Sequence, residues 1–285
     1  MKPAEMIESF AHRFPWPTKK ALHLIAPRTG YHWLSSKLVK EMKLSLYTDT
    51  RLHNGCTMRV RIGDNVGDAI RSDQNFEAQS LNTVLSRLKP ESVFFDVGAH
   101  MGLYTLYAAK RCKAVHCFEP VPGTNAVLAH NVQRNRLTNV TVCNFALSDA
   151  EAEVEMFEGS ADNLGASSLA VSGLTARVYK IKARSVDSYV SETGVVPDVI
   201  KMDVEGAEIL VLRGARKMLM EHHPAIVCEF GEAQQRQFGF SVQQLARTLE
   251  DYGYQMSPIH NEIEQRSYYN VLATEKVIPL HTAHS

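Results

Sequence analysis

The chain has 285 residues, with 31 Lys/Arg against 31 Asp/Glu, so its formal charge is zero, and hydrophobic residues make up 45%. A packed globular core is expected from this composition. No apolar run reaches the ~18–20 residues of a membrane span, residues 1–20 lack the apolar core of a secretion signal, and the basicity is too mild to argue for nucleic acid as a partner.

The five cysteines include no C-x-x-C pair, which argues against a thiolate zinc site. An odd, scattered set suits a reducing compartment, so a cytoplasmic location is expected. Charge is unevenly placed: residues 1–90 hold 14 basic and 8 acidic side chains, and residues 91–285 hold 17 and 23. The basic N-terminal part reads as a solvated face, with an anionic acceptor as the alternative.

Residues 1–50 read as helices broken by Pro15, Pro17, Pro27 and Gly30. Tyr31, Leu34, Leu38 and Met42 recur at near-helical spacing and are expected to pack on the main domain. A lid, a homodimer contact and a membrane-surface helix are the alternatives for that stretch. Thr57–Ile62 alternates as a strand, Gly63 turns it, and Val66–Ile70 is expected to return as a hairpin. A helix opens near Ser72 and runs to about Leu88, where Pro90 ends it. Residues 1–74 are thus expected to form an accessory region, and residues 75–285 the main domain.

Residues 93–102 carry the most information. Val93–Val97 reads as a strand containing Asp96, followed by Gly98, Ala99, His100, Met101 and Gly102, and then by a helix-like run from Leu103. A strand that turns on glycine into a helix points backbone N–H groups at a ligand. A dinucleotide fingerprint would need glycine at 98, 100 and 103, but His100 and Leu103 break it. What remains is D-x-G-x-x-x-G. The plain alternative is a strand–turn–helix joint with glycine for backbone geometry.

The next strand, Ala114–Phe118, ends in Glu119 and Pro120, and Glu119 lies 21 residues after Gly98. An acid at that place can accept from both hydroxyls of a ribose; otherwise it is an exposed strand-end carboxylate. A third strand is expected over Val140–Ala146, leading into Leu147, Ser148 and Asp149. Asn144, Ser148 and Asp149 are candidates to meet a base edge, or the Ser-Asp pair simply makes a turn.

Ala152–Phe157 and Val178–Ala183 both alternate and read as an added antiparallel pair. The Gly/Ser/Asn-rich residues 159–173 that join them are a candidate for substrate contacts. Pro197–Met202 then runs as an apolar strand into Asp203, Glu205, Gly206 and Glu208, with a helix after it. Acids in a first helical turn suit the macrodipole. Asp203 sits instead at the carboxyl end of a strand, where open α/β sheets hold ligands. Ala225–Phe230, containing Glu229, reads as strand five and Val242–Leu249 as a helix. Tyr254–Ile259 and Tyr269–Ala273 read as a final hairpin around His260–Arg266.

Taken in order, Phe95–Gly102, Phe118–Pro120, Ala146–Ser148 and Lys201–Glu208 resemble the FkbM family of S-adenosylmethionine-dependent methyltransferases, over roughly residues 75–232. His100 departs from the family, which more often has Asn there. The resemblance implies an α/β fold: a Rossmann-like, seven-stranded class I methyltransferase sheet, helices on both faces and an antiparallel last strand. It implies S-adenosylmethionine as cofactor, S-adenosylhomocysteine as product, and O-methylation of a small-molecule hydroxyl on a sugar or secondary metabolite. Cofactor contacts are expected from Asp96, Gly98, Ala99, His100, Gly102, Glu119, Pro120, Asn144, Ala146, Ser148 and Asp203.

A hydroxyl is a poor nucleophile, so a base or a metal must help remove its proton. Asp203, His100 and Glu229 are the catalytic candidates. Asp203 can be the base. Asp203 and Glu229, with Glu205 or His260, can hold a divalent ion. Or these acids order the methionine end of the site. His100 is a second base candidate, or only packs beside the cofactor. The rival functions are an N-methyltransferase or an RNA or protein methyltransferase of this fold, an NAD-dependent oxidoreductase, and a non-catalytic S-adenosylmethionine-binding module.

Overall fold

The computed structural model describes residues 46–73, 75–157, 178–259 and 268–276. The expected helices before residue 46, the 159–173 connection and His260–Arg266 lie outside the described residues.

The chain opens with a hairpin of β1 (Tyr47–Arg51) and β2 (Thr57–Arg61), paired antiparallel. Here the sequence expectation is corrected. The partner of β2 precedes it, across the Asn54-Gly55 turn, where Gly55 adopts φ +83°. Val66–Ile70 is not a returning strand but part of helix α1 (Asn65–Ser72). Asp64 decides this by capping the helix, its carboxylate accepting from the Gly67 amide at 2.9 Å.

Helix α2 (Ala78–Arg87) leads into β3 (Val93–Val97), α3 (Leu103–Ala108), β4 (Ala114–Phe118), α4 (Pro122–Arg134) and β5 (Val140–Cys143). Pro122 at the head of α4 suits a helix start. β6 (Ala146–Leu147), β7 (Ala152–Phe157) and β8 (Val178–Arg184) follow, then α5 (Val186–Thr193) and β9 (Val199–Met202). The chain continues through α6 (Glu208–Gly214), α7 (Arg216–His222), β10 (Ala225–Gly231), α8 (Glu232–Gln237), α9 (Val242–Asp251), β11 (Tyr254–Pro258) and β12 (Tyr268–Glu275).

Seven strands form one sheet in the order β11-β12-β10-β9-β3-β4-β5. β12 pairs antiparallel with both β10 and β11, and the pairs among β10, β9, β3, β4 and β5 are parallel. This is the expected class I methyltransferase sheet with its last strand antiparallel. Order reverses between β3 and β9, so the carboxyl ends of those strands open a crevice, the usual ligand position in such sheets.

The central strands are apolar on both faces because helices cover both faces. Phe94 packs with Leu81, Val84 and Leu85 of α2, while Phe95 packs with Tyr189, Ile209 and Leu212 on the opposite side. The expected third strand is interrupted: β5 stops at Cys143, and Ala146–Leu147 leaves it to pair with β8 in a separate three-stranded sheet, β6-β8-β7. The expected β7–β8 antiparallel pair is present.

The hairpin is bound tightly to α4. Asn131 accepts from the Arg59 amide at 2.7 Å and donates to the Arg59 carbonyl at 3.0 Å, and Asn135 does the same for Thr57 at 2.8 and 2.7 Å. Two asparagine side chains thus occupy the ladder groups of β2 that face away from β1.

Candidate active site

The crevice at the ends of β3, β4 and β9 is a cleft open to solvent. Its lining includes Gly98, His100, Glu119, Pro120, Ala146, Asp203 and Glu205, all singled out from the sequence. Val97, Phe118, Leu147, Met156, Val204 and Ala207 supply its apolar surface. Leu147 and Met156 come from the small sheet, so the insertion builds one wall.

The glycine turn is set by close approach. Gly98 adopts φ +80°, and a Cβ there would lie 1.8 Å from the Asp203 carbonyl oxygen, so only glycine fits. The Gly98 and Ala99 amides both donate to the Phe118 carbonyl, at 3.0 and 3.1 Å. His100 stands at φ +50°, in the left-handed region, and its amide donates to Glu119 Oε2 at 3.0 Å.

Glu119 faces this turn from the end of β4. Its Oε1 accepts from the Val121 amide at 2.9 Å, which fixes the carboxylate. Burial pushes its pKa up to about 7, against the pull of the two amides. Burial lowers the pKa of His100, while Asp64 and Asp203 oppose that shift. The imidazole is therefore neutral near pH 7, with two carboxylates ready to favour its protonated form.

The second turn, after β9, is rich in acids. Asp203 Oδ2 lies 3.3 Å from Lys201 Nζ, and Lys201 is 1% exposed. Glu208 accepts from the Val204 and Gly206 amides at 3.0 and 3.4 Å and from the Gln235 side chain. Burial pushes Glu208 up to about 7 and raises Glu205 and Glu229 well above the ordinary carboxylate range, with Asp203 adding to each shift.

Several sequence candidates stand away from the lining. Asp96 is buried behind the turn, accepting from Thr105 Oγ1 at 2.6 Å, with its pKa pushed up to about 6 by burial. The Ala99 side chain packs with Cys117 and Leu128, and Gly102 starts α3. Asn144 is exposed, and Ser148 is buried with its amide donating to the Arg184 carbonyl at 2.8 Å. Glu229 lies within β10 opposite Asn270, below the lining.

Among the described residues, no group of three or more His, Cys, Asp or Glu stands where it could hold a metal ion. His260, weighed with Asp203 and Glu229 as a ligand, lies outside the described residues. No helix among the described residues is long and apolar enough to cross a membrane.

Sequence reasoning assigned no role to Lys201, Tyr104, Glu77 or Asp64. A signal for Lys201 was present: it is the one charged residue in Val199–Met202, a strand expected to be buried on both faces.

The methyltransferase FkbM domain profile matches residues 96–256. The chain is 28% identical over 157 residues to the hexuronic acid methyltransferase AglP of Haloferax volcanii, covering 54% of this chain and 63% of that protein. It is 27% identical over 208 residues to the AMB antimetabolite synthetase AmbE of Pseudomonas aeruginosa, covering 60% of this chain and 10% of that one. It thus spans less than two thirds of either relative. The crystal structure of Methyltransferase FkbM from Methylobacillus flagellatus superposes with a TM-score of 0.47 at 17% identity, covering 74% of this chain and 61% of that one. Because the family profile covers more than half of the chain, the chain belongs to the FkbM methyltransferase domain family.

Proposed function

We propose that the chain transfers the methyl group of S-adenosylmethionine to a hydroxyl of a small-molecule acceptor and releases S-adenosylhomocysteine. The observation that carries this reading is the glycine turn and the Glu119 carboxylate bonded to it, side by side in the lining of one cleft, in a chain of this family. The cleft residues fit the cofactor. Each Glu119 oxygen accepts one backbone amide and keeps a further lone pair, which suits two ribose hydroxyls. Gly98 lets the two turns that border the cleft close on one another, since a Cβ there would meet the Asp203 carbonyl.

The cofactor supplies a methyl group on a cationic sulfur. The chain's own part is to align the acceptor, exclude water and take the hydroxyl proton. His100 suits the last task, since it is neutral near pH 7, lines the cleft and has Asp203 and Asp64 close enough to stabilise its imidazolium. Asp203 then orders the methionine end of the cofactor. A sugar hydroxyl is the favoured acceptor, because AglP is named for a hexuronic acid.

The test begins with calorimetric titration of S-adenosylhomocysteine into wild type and Glu119→Ala. Micromolar binding that collapses in the variant supports the reading, and no binding by the folded wild type overturns it. Turnover is then screened on glycosides and other hydroxyl acceptors, with and without magnesium. His100→Ala should lose turnover under saturating cofactor while still binding it. Turnover confined to amine acceptors would move the reading to N-methylation.

A further inference from the structure

We propose that Lys201 is a positioning residue for the cofactor: its sealed ammonium holds the Asp203 carboxylate at the cleft wall, where that carboxylate receives the α-ammonium of the methionine moiety. The inference rests on the reading above, that the cleft binds S-adenosylmethionine.

Lys201 lies in the middle of the sheet, in register with Asp96 of β3 and Val227 of β10. An ammonium taken so far from water is costly unless it is paired, and a methionine of similar length would fill the same space without that cost. The surroundings are built to keep the charge. Nζ lies 3.3 Å from Asp203 Oδ2 and 5.3 Å from the centre of the Tyr104 ring, a cation–π distance. The Tyr104 hydroxyl donates to Glu77 Oε2 at 2.9 Å, which draws a second carboxylate to the same ammonium. Burial works against the charge, yet Asp203, Glu77 and Glu229 outweigh it and raise the lysine pKa.

Of these acids, only Asp203 lines the cleft. It is 30% exposed at the side chain while its lysine is sealed, so the pair has one face toward ligand and one toward core. A lysine that served the core alone could have paired with Glu229 or Glu77. Its direct contact is instead with the carboxylate that borders the ligand space.

The experiment is a double-mutant cycle read by S-adenosylhomocysteine titration on the full chain. Lys201→Met and Asp203→Asn should each weaken binding by about 10–100-fold, the worth of a charge-assisted contact. Lys201→Arg, which keeps the charge, should restore most of the loss. The double variant should bind within about twofold of Asp203→Asn alone. If Lys201→Met does not fold, the comparison of Asp203→Asn with the double variant still decides the matter, because removing both charges leaves neither uncompensated. A further loss of about tenfold when Lys201→Met is added to Asp203→Asn would overturn the proposal, as would wild-type affinity in Lys201→Met alone. No binding by the wild type would overturn the cofactor reading itself. Wild-type binding with an additive cycle would overturn only the role of Lys201.

Discussion

The turn after β3 and the turn after β9 meet at one strand edge, yet different quantities hold them. In the first, distance decides. A Cβ on Gly98 would lie 1.8 Å from the Asp203 carbonyl, and one on Gly102 would lie 2.5 Å from Leu128 Cδ1. In the second, side-chain charge and hydrogen bonding do most of the work: Lys201 holds Asp203, and Glu208 closes the turn by accepting from Val204 and Gly206. Steric fit contributes there as well, since a Cβ on Gly206 would meet the Gln234 carbonyl at 2.3 Å. The first turn should therefore be intolerant of added atoms, and the second sensitive to altered charge.

The largest effect should come from Gly98→Ala. It adds a methyl where backbone stands and imposes φ +80° on alanine, so we expect a loss of about 3 kcal/mol or more and no S-adenosylhomocysteine binding. A variant that melted within a degree or two of wild type and still bound would refute the steric account of this turn. Glu119→Gln keeps the shape and removes the charge. Cofactor affinity should fall by about 10–100-fold, with stability little changed, because the buried carboxylate is itself costly.

A smaller effect, the dependence of stability on pH, is shared by the two turns. Burial places Glu119 and Glu208 at about 7 in the folded chain, against an ordinary value of 4.5. Between those values the folded state holds protons that the unfolded state has released. Stability is thus greater toward the acid side and falls as pH rises through about 7, by about 1 kcal/mol for each group. Thermal melts of the ligand-free chain should drop by several degrees from about pH 6.5 to about pH 8. His100 and His116, lowered by burial, act below the ordinary histidine value of 6.5, which is why the comparison starts there. The smallest effect is Glu208→Gln, which should change stability by about 1 kcal/mol or less at neutral pH but flatten that slope. An unchanged slope would assign the pH dependence to other groups.

The sheet was legible wherever strands are short apolar runs bounded by glycine, proline or acids, as at Val93–Val97, Ala114–Phe118 and Val199–Met202. The motif residues of the cleft were legible because strand ends in this topology converge. The misreadings have local causes. Asn54-Gly55 is a hairpin signal, but Tyr47–Arg51 carries few apolar residues and so did not stand out as a strand. Asp64 caps a helix where only a turn was expected. The break after Cys143 has no glycine or proline to mark it; β6 leaves the main sheet because β8 offers a second partner, a non-local contact. The setting of Lys201 was missed for a related reason: Asp203 stands two residues away, but Glu77 and Tyr104 are distant in sequence and meet the lysine only in the folded chain.

Asn131 also bears on where this fold can be cut. Besides its two bonds to Arg59, its side-chain amide donates to the Met101 carbonyl at 2.9 Å, inside the glycine turn. One amide group therefore ties the β1–β2 hairpin to the glycine turn. At the other end, β12 lies between β10 and β11, outside the residues that the family profile matches. A fragment trimmed to residues 96–256 would lose both the hairpin and the strand that bridges the sheet's far edge. It would leave the amides and carbonyls of β10 and β11 open to other chains. The smallest soluble unit should accordingly be longer than the recognisable one, and a trimmed fragment should aggregate before it can be assayed.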